Sequence, residues 1–96
     1  MADALQVHII TTAGQTLTEE AVALRAPGEG GDVGVLRNHA PLVSVLRPGK
    51  LVWRTADGAR QTARIGGGLM EVAKNRVTIL TDSLDAPAKP EEAARP

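Results

Sequence analysis

The sequence predicts an all-β domain, a sandwich or barrel of short strands over residues 1–85, followed by a flexible Pro-rich tail over 86–96. Three observations carry this. Short stretches alternate apolar and polar residues with period 2, and turn residues separate them every 8–12 positions. No window gives the 3.6-residue apolar period of an amphipathic helix. The apolar content, 43% of 96 residues, is almost wholly aliphatic, with Trp53 the only aromatic. A chain this short builds one domain, with a core of Val, Leu, Ile and Ala.

In chain order, Leu5, Val7 and Ile9 alternate with Gln6, His8 and Ile10, which reads as a half-buried strand. Ala13-Gly14-Gln15 is a turn, and Val22, Leu24 and Ala26 repeat the alternation up to Pro27-Gly28. The stretch Gly28 to Gly34 reads as a tight, exposed hairpin loop in which glycine supplies positive φ. Leu42–Leu46 is a strand ended by Arg47-Pro48-Gly49. Leu51, Trp53 and Thr55 lead into Asp57-Gly58, a strong hairpin signal, and the returning strand carries Gln61, Ala63 and Ile65. Gly66-Gly67-Gly68 marks a sandwich corner, or a close approach of another backbone. Leu69–Val72 and Arg76–Leu80 form a final pair around Lys74-Asn75. From Ala86 the composition shifts to Pro, Ala and charge, with no large apolar residue.

The charges exclude some function classes. Eleven basic and eleven acidic residues give zero formal net charge, against a nucleic-acid footprint, and one aromatic ring makes a poor stacking or sugar-binding platform. Without cysteine there is no disulfide, thiolate nucleophile or Cys-ligated zinc. The N-terminus lacks the features of a secretion signal, and no apolar run approaches the ~18–20 residues that span a bilayer. The expectation is a soluble intracellular protein that meets a membrane only through partners, without insertion.

Catalytic readings fare poorly. The Gly28–Gly34 segment misses G-x-G-x-x-G, with Val33 at the third glycine position, and no Lys-Ser/Thr follows as in a P-loop. His39 is a candidate general base or metal ligand, but only His8 could join it. A Ser–His–Asp set drawn from Ser44 or Ser83 with Asp82 or Asp85 has no nucleophile elbow behind it. The expected catalytic, cofactor and metal residues are therefore none. Arg54, Arg60 and Arg64 read as a solvated face or a weak electrostatic docking site. A carbohydrate-binding or adhesion module and a small His39 hydrolase remain as alternative classes.

Order and spacing of particular residues go further. The stretch Gly31-Asp32-Val33-Gly34-Val35-Leu36-Arg37-Asn38-His39-Ala40-Pro41-Leu42, followed by Leu46-Arg47-Pro48-Gly49, resembles the signature of the ε subunit of F-type ATP synthase. Ile65 to Val72 and Asn75 to Asp82 resemble two further blocks of that family, in the same order. The resemblance implies a flattened two-sheet β-sandwich of short antiparallel strands, acting as a non-catalytic rotor subunit at the foot of the central stalk, on the cytoplasmic face of a bacterial inner membrane. On this resemblance it is expected to join the γ subunit to the membrane c-ring so that proton or sodium flow drives ATP synthesis. It further implies a γ-facing surface at Thr11, His39, Pro41, Leu42 and Ser44, and a c-ring-facing surface at Glu29, Gly30, Gly31 and Asp32. Hot spots are expected near Pro41-Leu42 and Leu69-Met70. Arg37 stands where the family usually has Pro, and Asp32 where Glu is commoner. No segment matches the family's C-terminal helical hairpin, so the expectation is that this polypeptide neither binds ATP nor forms the extended brake.

Overall fold

A computed structural model describes residues 4–86. Ten strands follow in order: β1 Leu5–Thr11, β2 Thr16–Ala21, β3 Ala23–Gly28, β4 Gly31–Leu36, β5 Leu42–Leu46, β6 Gly49–Arg54, β7 Arg60–Ile65, β8 Gly68–Ala73, β9 Arg76–Thr81 and β10 Leu84–Asp85. No helix occurs among the described residues. The expected tail lies outside them from residue 87 on.

The strands fold into two layers, bearing out the sandwich. One layer runs β4-β3-β6-β7-β10 and the other β5-β8-β9-β1-β2, with a single pairing, Gly28↔Leu46, joining them. Pairing is antiparallel except between β1 and β9, which run parallel from Gln6↔Arg76 to Thr11↔Thr81. Of the places where the chain changes layers, one is Val22, whose N–H donates to the Arg54 carbonyl at 2.8 Å, and another is the triple glycine. There Gly68 has φ +147°, and a Cβ at that position would collide with the Leu80 carbonyl. The corner expected from sequence is thus also a close backbone approach, made within the chain itself.

One face of each layer is apolar and the two faces share a single core. Leu5, Val7 and Ile9 on β1, Leu51 and Trp53 on β6, Met70 and Val72 on β8, and Val77 and Ile79 on β9 all fill it. Each follows the alternation of a strand with one face buried. β2 and β4 are strands that the sequence did not signal. The expected loop Gly28–Gly34 is mostly ladder, with residues 23–28 pairing residues 31–36 and only Glu29-Gly30 turning between them.

Candidate docking surfaces

The two ends of the sandwich hold the two groups of residues singled out by sequence. At one end, residues 37–41 connect β4 to β5 and lie beside the β8–β9 turn. Lys74 and Asn75 both have positive φ (52° and 61°), as a two-residue type I′ hairpin requires. Asn38, at φ 66°, donates its backbone N–H to Asn75 Oδ1 at 2.6 Å, and Asn75 Nδ2 donates back to Asn38 Oδ1 at 3.2 Å. The Asn75 carbonyl also accepts from Gln6 N at 2.8 Å. Three elements are thereby tied together under His39. The half-buried His39 ring donates from Nδ1 to the Ala40 carbonyl at 2.7 Å, which leaves Nε2 as an acceptor in the neutral ring.

No catalytic constellation forms around that ring. Ser44 directs its hydroxyl to the Val45 carbonyl, and His8 meets only Thr18. Among the described residues no three His, Cys, Asp or Glu side chains converge as metal ligands do. Pro41 is exposed, whereas Leu42 packs half-buried against the core. Ser44 follows Leu42 and Leu46 on the inward row of β5. Thr11 is buried at the opposite end, where its Oγ1 accepts from Gln15 N at 2.9 Å and closes the β1–β2 turn.

That opposite end also carries Glu29, Gly30, Gly31 and Asp32, all exposed, roughly 20 Å of six-residue strand away from the His39 corner. The Glu29 N–H donates to the Val45 carbonyl at 2.9 Å, and the Arg47 N–H to the Pro27 carbonyl at 2.9 Å, so two turns brace each other. Asp32 Oδ1 accepts from Arg47 Nη2 at 3.3 Å. The carboxylate therefore already has an intramolecular cation. Its strand is extended, so successive N–H groups point apart and no phosphate cradle is made.

Between the two ends, the outer face of the second layer bears an apolar stripe. Val45 pairs with Leu69, Leu69 with Leu80, and Leu80 with Ile10, across β5, β8, β9 and β1. Val43, Val45, Leu69 and Leu80 are all exposed. This corrects the sequence expectation at one residue: Leu69 is 41% exposed, but Met70 is fully buried and cannot serve a partner. The available signal was Glu71, which shares a strand face with Leu69 and so puts Met70 on the other. Val43 and Val45 were missed because five apolar or small residues in a row hide which face is buried. Contiguous exposed apolar surface of this kind marks docking sites.

Comparison with known proteins identifies the fold family. Residues 4–86 match the family model described as ATP synthase, Delta/Epsilon chain, beta-sandwich domain. The chain belongs to this family. Its curated relatives include an ATP synthase epsilon chain of Bordetella petrii, 36% identical over 93% of this chain and 63% of its own length. Another, from Herpetosiphon aurantiacus, is 42% identical over 84% of this chain and 59% of its own. The chain thus spans about three fifths of the length of these epsilon chains. A chain in the Euglena gracilis mitochondrial ATP synthase OSCP/F1/c-ring structure superposes with TM-score 0.80 at 22% identity, over 99% of this chain and 62% of that one. A chain in the Tetrahymena thermophila central stalk/c-ring structure gives 0.68 at 17% identity, over 85% and 66%. At those identities the superpositions speak for the fold of this epsilon-type β-sandwich.

Proposed function

We propose that this domain is a non-catalytic subunit of the ATP synthase central stalk that joins the γ subunit to the membrane c-ring, so that ion-driven rotation reaches the catalytic head. The observation that carries the reading is the Val43, Val45, Leu69 and Leu80 stripe on a domain of this family. The stripe is rigidly held, because β8 and β9 lie in the interior of the five-stranded layer and β5 pairs with β8 over its whole length. A sandwich resists shear through its ladders and core, which suits a part that transmits torque rather than one that binds and releases. The stripe, with the His39 corner and Pro41 at its border, is the surface offered to γ. Leu42, Ser44 and Thr11 support that surface from beneath, through packing and turn geometry rather than side-chain contact.

The Glu29–Asp32 turn is the surface offered to the c-ring. It presents the exposed Glu29 and Asp32 carboxylates at one end of the sandwich, fit to pair with basic or amide groups of a polar loop. Pairing Asp32 with the ring would mean exchanging its Arg47 contact for an external one, or docking the pair together. The protein would sit on the cytoplasmic face of the membrane through these partners.

The test is co-purification of the 96-residue chain with γ and c-ring. Val45→Glu combined with Leu69→Glu places two charges on the stripe and should abolish capture of γ while the isolated domain still melts cooperatively. Asp32→Lys should weaken retention of the c-ring and leave γ binding intact. Full capture of γ by the Val45/Leu69 variant sinks the assignment of that face.

A further inference from the structure

The outer face of the first layer differs in kind from the apolar stripe. Residues that alternate away from the core there include Arg25 on β3, Lys50, Val52 and Arg54 on β6, and Arg60, Thr62 and Arg64 on β7. The β6–β7 register sets like charges directly opposite each other twice, as Arg54↔Arg60 and Lys50↔Arg64. Directly opposed like charges destabilise a sheet. Lys50 and Arg64 have a remedy, since Asp85 on β10 stands opposite Arg64. Arg54 and Arg60 have none. Neither guanidinium makes an ion pair or side-chain hydrogen bond among the described residues. The nearest acid along the chain, Asp57, is engaged by the Thr55 hydroxyl and the Ala59 N–H. Arg25 pairs with Val52, which places it diagonally from Arg54, and it too lacks a counter-ion among the described residues.

These three arginines border a depression of about 440 Å³. Ala23 and Gly34 keep its floor low, and Leu36, 63% exposed, and Val52 give it an apolar wall. Trp53 also lines it, 3% exposed, with its Nε1–H lacking any partner among the described residues. Every polar side chain bordering the depression is thus a donor and none is an acceptor. The volume falls in the small-molecule range.

We propose that this depression is an anion site that takes the phosphate group of an organic phosphate, with Arg54 and Arg60 as the paired forks and Arg25 closing the third side. Two guanidinium planes on Cβ atoms about 5 Å apart match a tetrahedral, multiply charged group better than an extended acidic segment. The apolar wall receives the organic part. The phosphate comes either from a soluble phosphorylated compound or from a phospholipid headgroup. The site does not depend on the rotor reading, because it lies on the other layer from the apolar stripe.

Trp53, the sole aromatic residue, sits on the core side of β6 next to Arg54 and lines the depression, which makes it a local reporter of changes there. The experiment titrates the full chain with inorganic pyrophosphate at constant ionic strength, following Trp53 fluorescence. A parallel arm sediments the chain with phosphatidylglycerol or phosphatidylcholine vesicles. A saturable fluorescence change, weakened at least tenfold in R54Q/R60Q and unaltered in R76Q on β9, supports a soluble phosphate. Sedimentation with phosphatidylglycerol alone, lost in R54Q/R60Q, supports the headgroup. Without added anion, R60Q should raise the melting temperature by relieving the opposed pair, which also shows that the variant folds. The proposal is overturned if neither probe binds, if wild type and R54Q/R60Q respond alike, or if only a polyglutamate peptide binds.

Discussion

Leu69 and Met70 are chain neighbours on β8 that should respond oppositely to truncation in the isolated domain. Met70 is fully buried and lies against the shared core, whereas Leu69 is 41% exposed. Met70→Ala removes three heavy atoms from a close-packed interior and leaves a cavity that the β8–β9 ladder cannot collapse into. Large-to-small changes of this kind cost about 2–5 kcal/mol. For a domain of this size each kcal/mol moves Tm by roughly 4–8 °C, so a loss of about 8–40 °C is expected. Leu69→Ser removes a side chain that lies partly in water and away from the core, and should cost no more than about 0.5–1 kcal/mol. Urea unfolding followed by Trp53 fluorescence measures both, and an unchanged m-value shows that only stability moved. The reasoning fails if Met70→Ala melts within a few degrees of wild type, or if Leu69→Ser costs as much.

Three further outcomes follow from the same geometry. Gly68→Ala introduces a Cβ against the Leu80 carbonyl at φ +147° and should destabilise by about 2 kcal/mol or more, readable by calorimetry. The Asp32–Arg47 pair is about half exposed on both sides (53% and 49%), so a double-mutant cycle on the isolated domain should give at most ~0.5 kcal/mol of coupling. The Thr55 hydroxyl, foremost, and the Ala59 N–H hold the Asp57 carboxyl below its ordinary value of 3.8. A depressed folded-state value means the stabilisation is present above pH 3.8 and is lost as pH falls through the lower, folded value. Asp57→Asn should therefore flatten the acid limb of the stability–pH curve below about pH 4, while a curve unchanged from wild type argues against the turn contact.

The sequence made legible the faces of those strands whose two rows differ most in polarity. β1 and β6 set Leu5, Val7 and Ile9, and Leu51 and Trp53, against mostly polar partners, and those inward residues were readable in advance. β8 and β9 were legible as strands but not by face, because Leu69 and Leu80 put aliphatic side chains on the outer row. β2, with the sequence TLTEEA, is an edge strand that contributes only Ala21 fully to the core, so its pattern is that of a polar surface. β4, with the sequence GDVGVL, buries only Val35, and its two glycines mimic a loop. The alternation across Val22 misled for another reason. The chain changes layers there, so Ala21 and Leu24 are both buried and the period breaks between them. The apolar stripe stayed hidden because exposed and buried aliphatics look alike in a list of residues. Only register shows Val45, Leu69 and Leu80 to be neighbours.

The parallel β1–β9 pair has a kinetic consequence. Strand β1 occupies an interior place in its layer, between β2 and a strand some 70 positions further along the chain. Until residues 76–81 have been synthesised, β1 has only β2 as a ladder partner, and such a hairpin is marginal alone. Closure of that layer must therefore wait for late-made chain and for a loop that encloses nearly the whole domain, which favours slow, all-or-none assembly. A nascent chain stopped short of Thr81 would expose a greasy, unsatisfied strand edge, the form in which this domain would be most prone to stick to its neighbours.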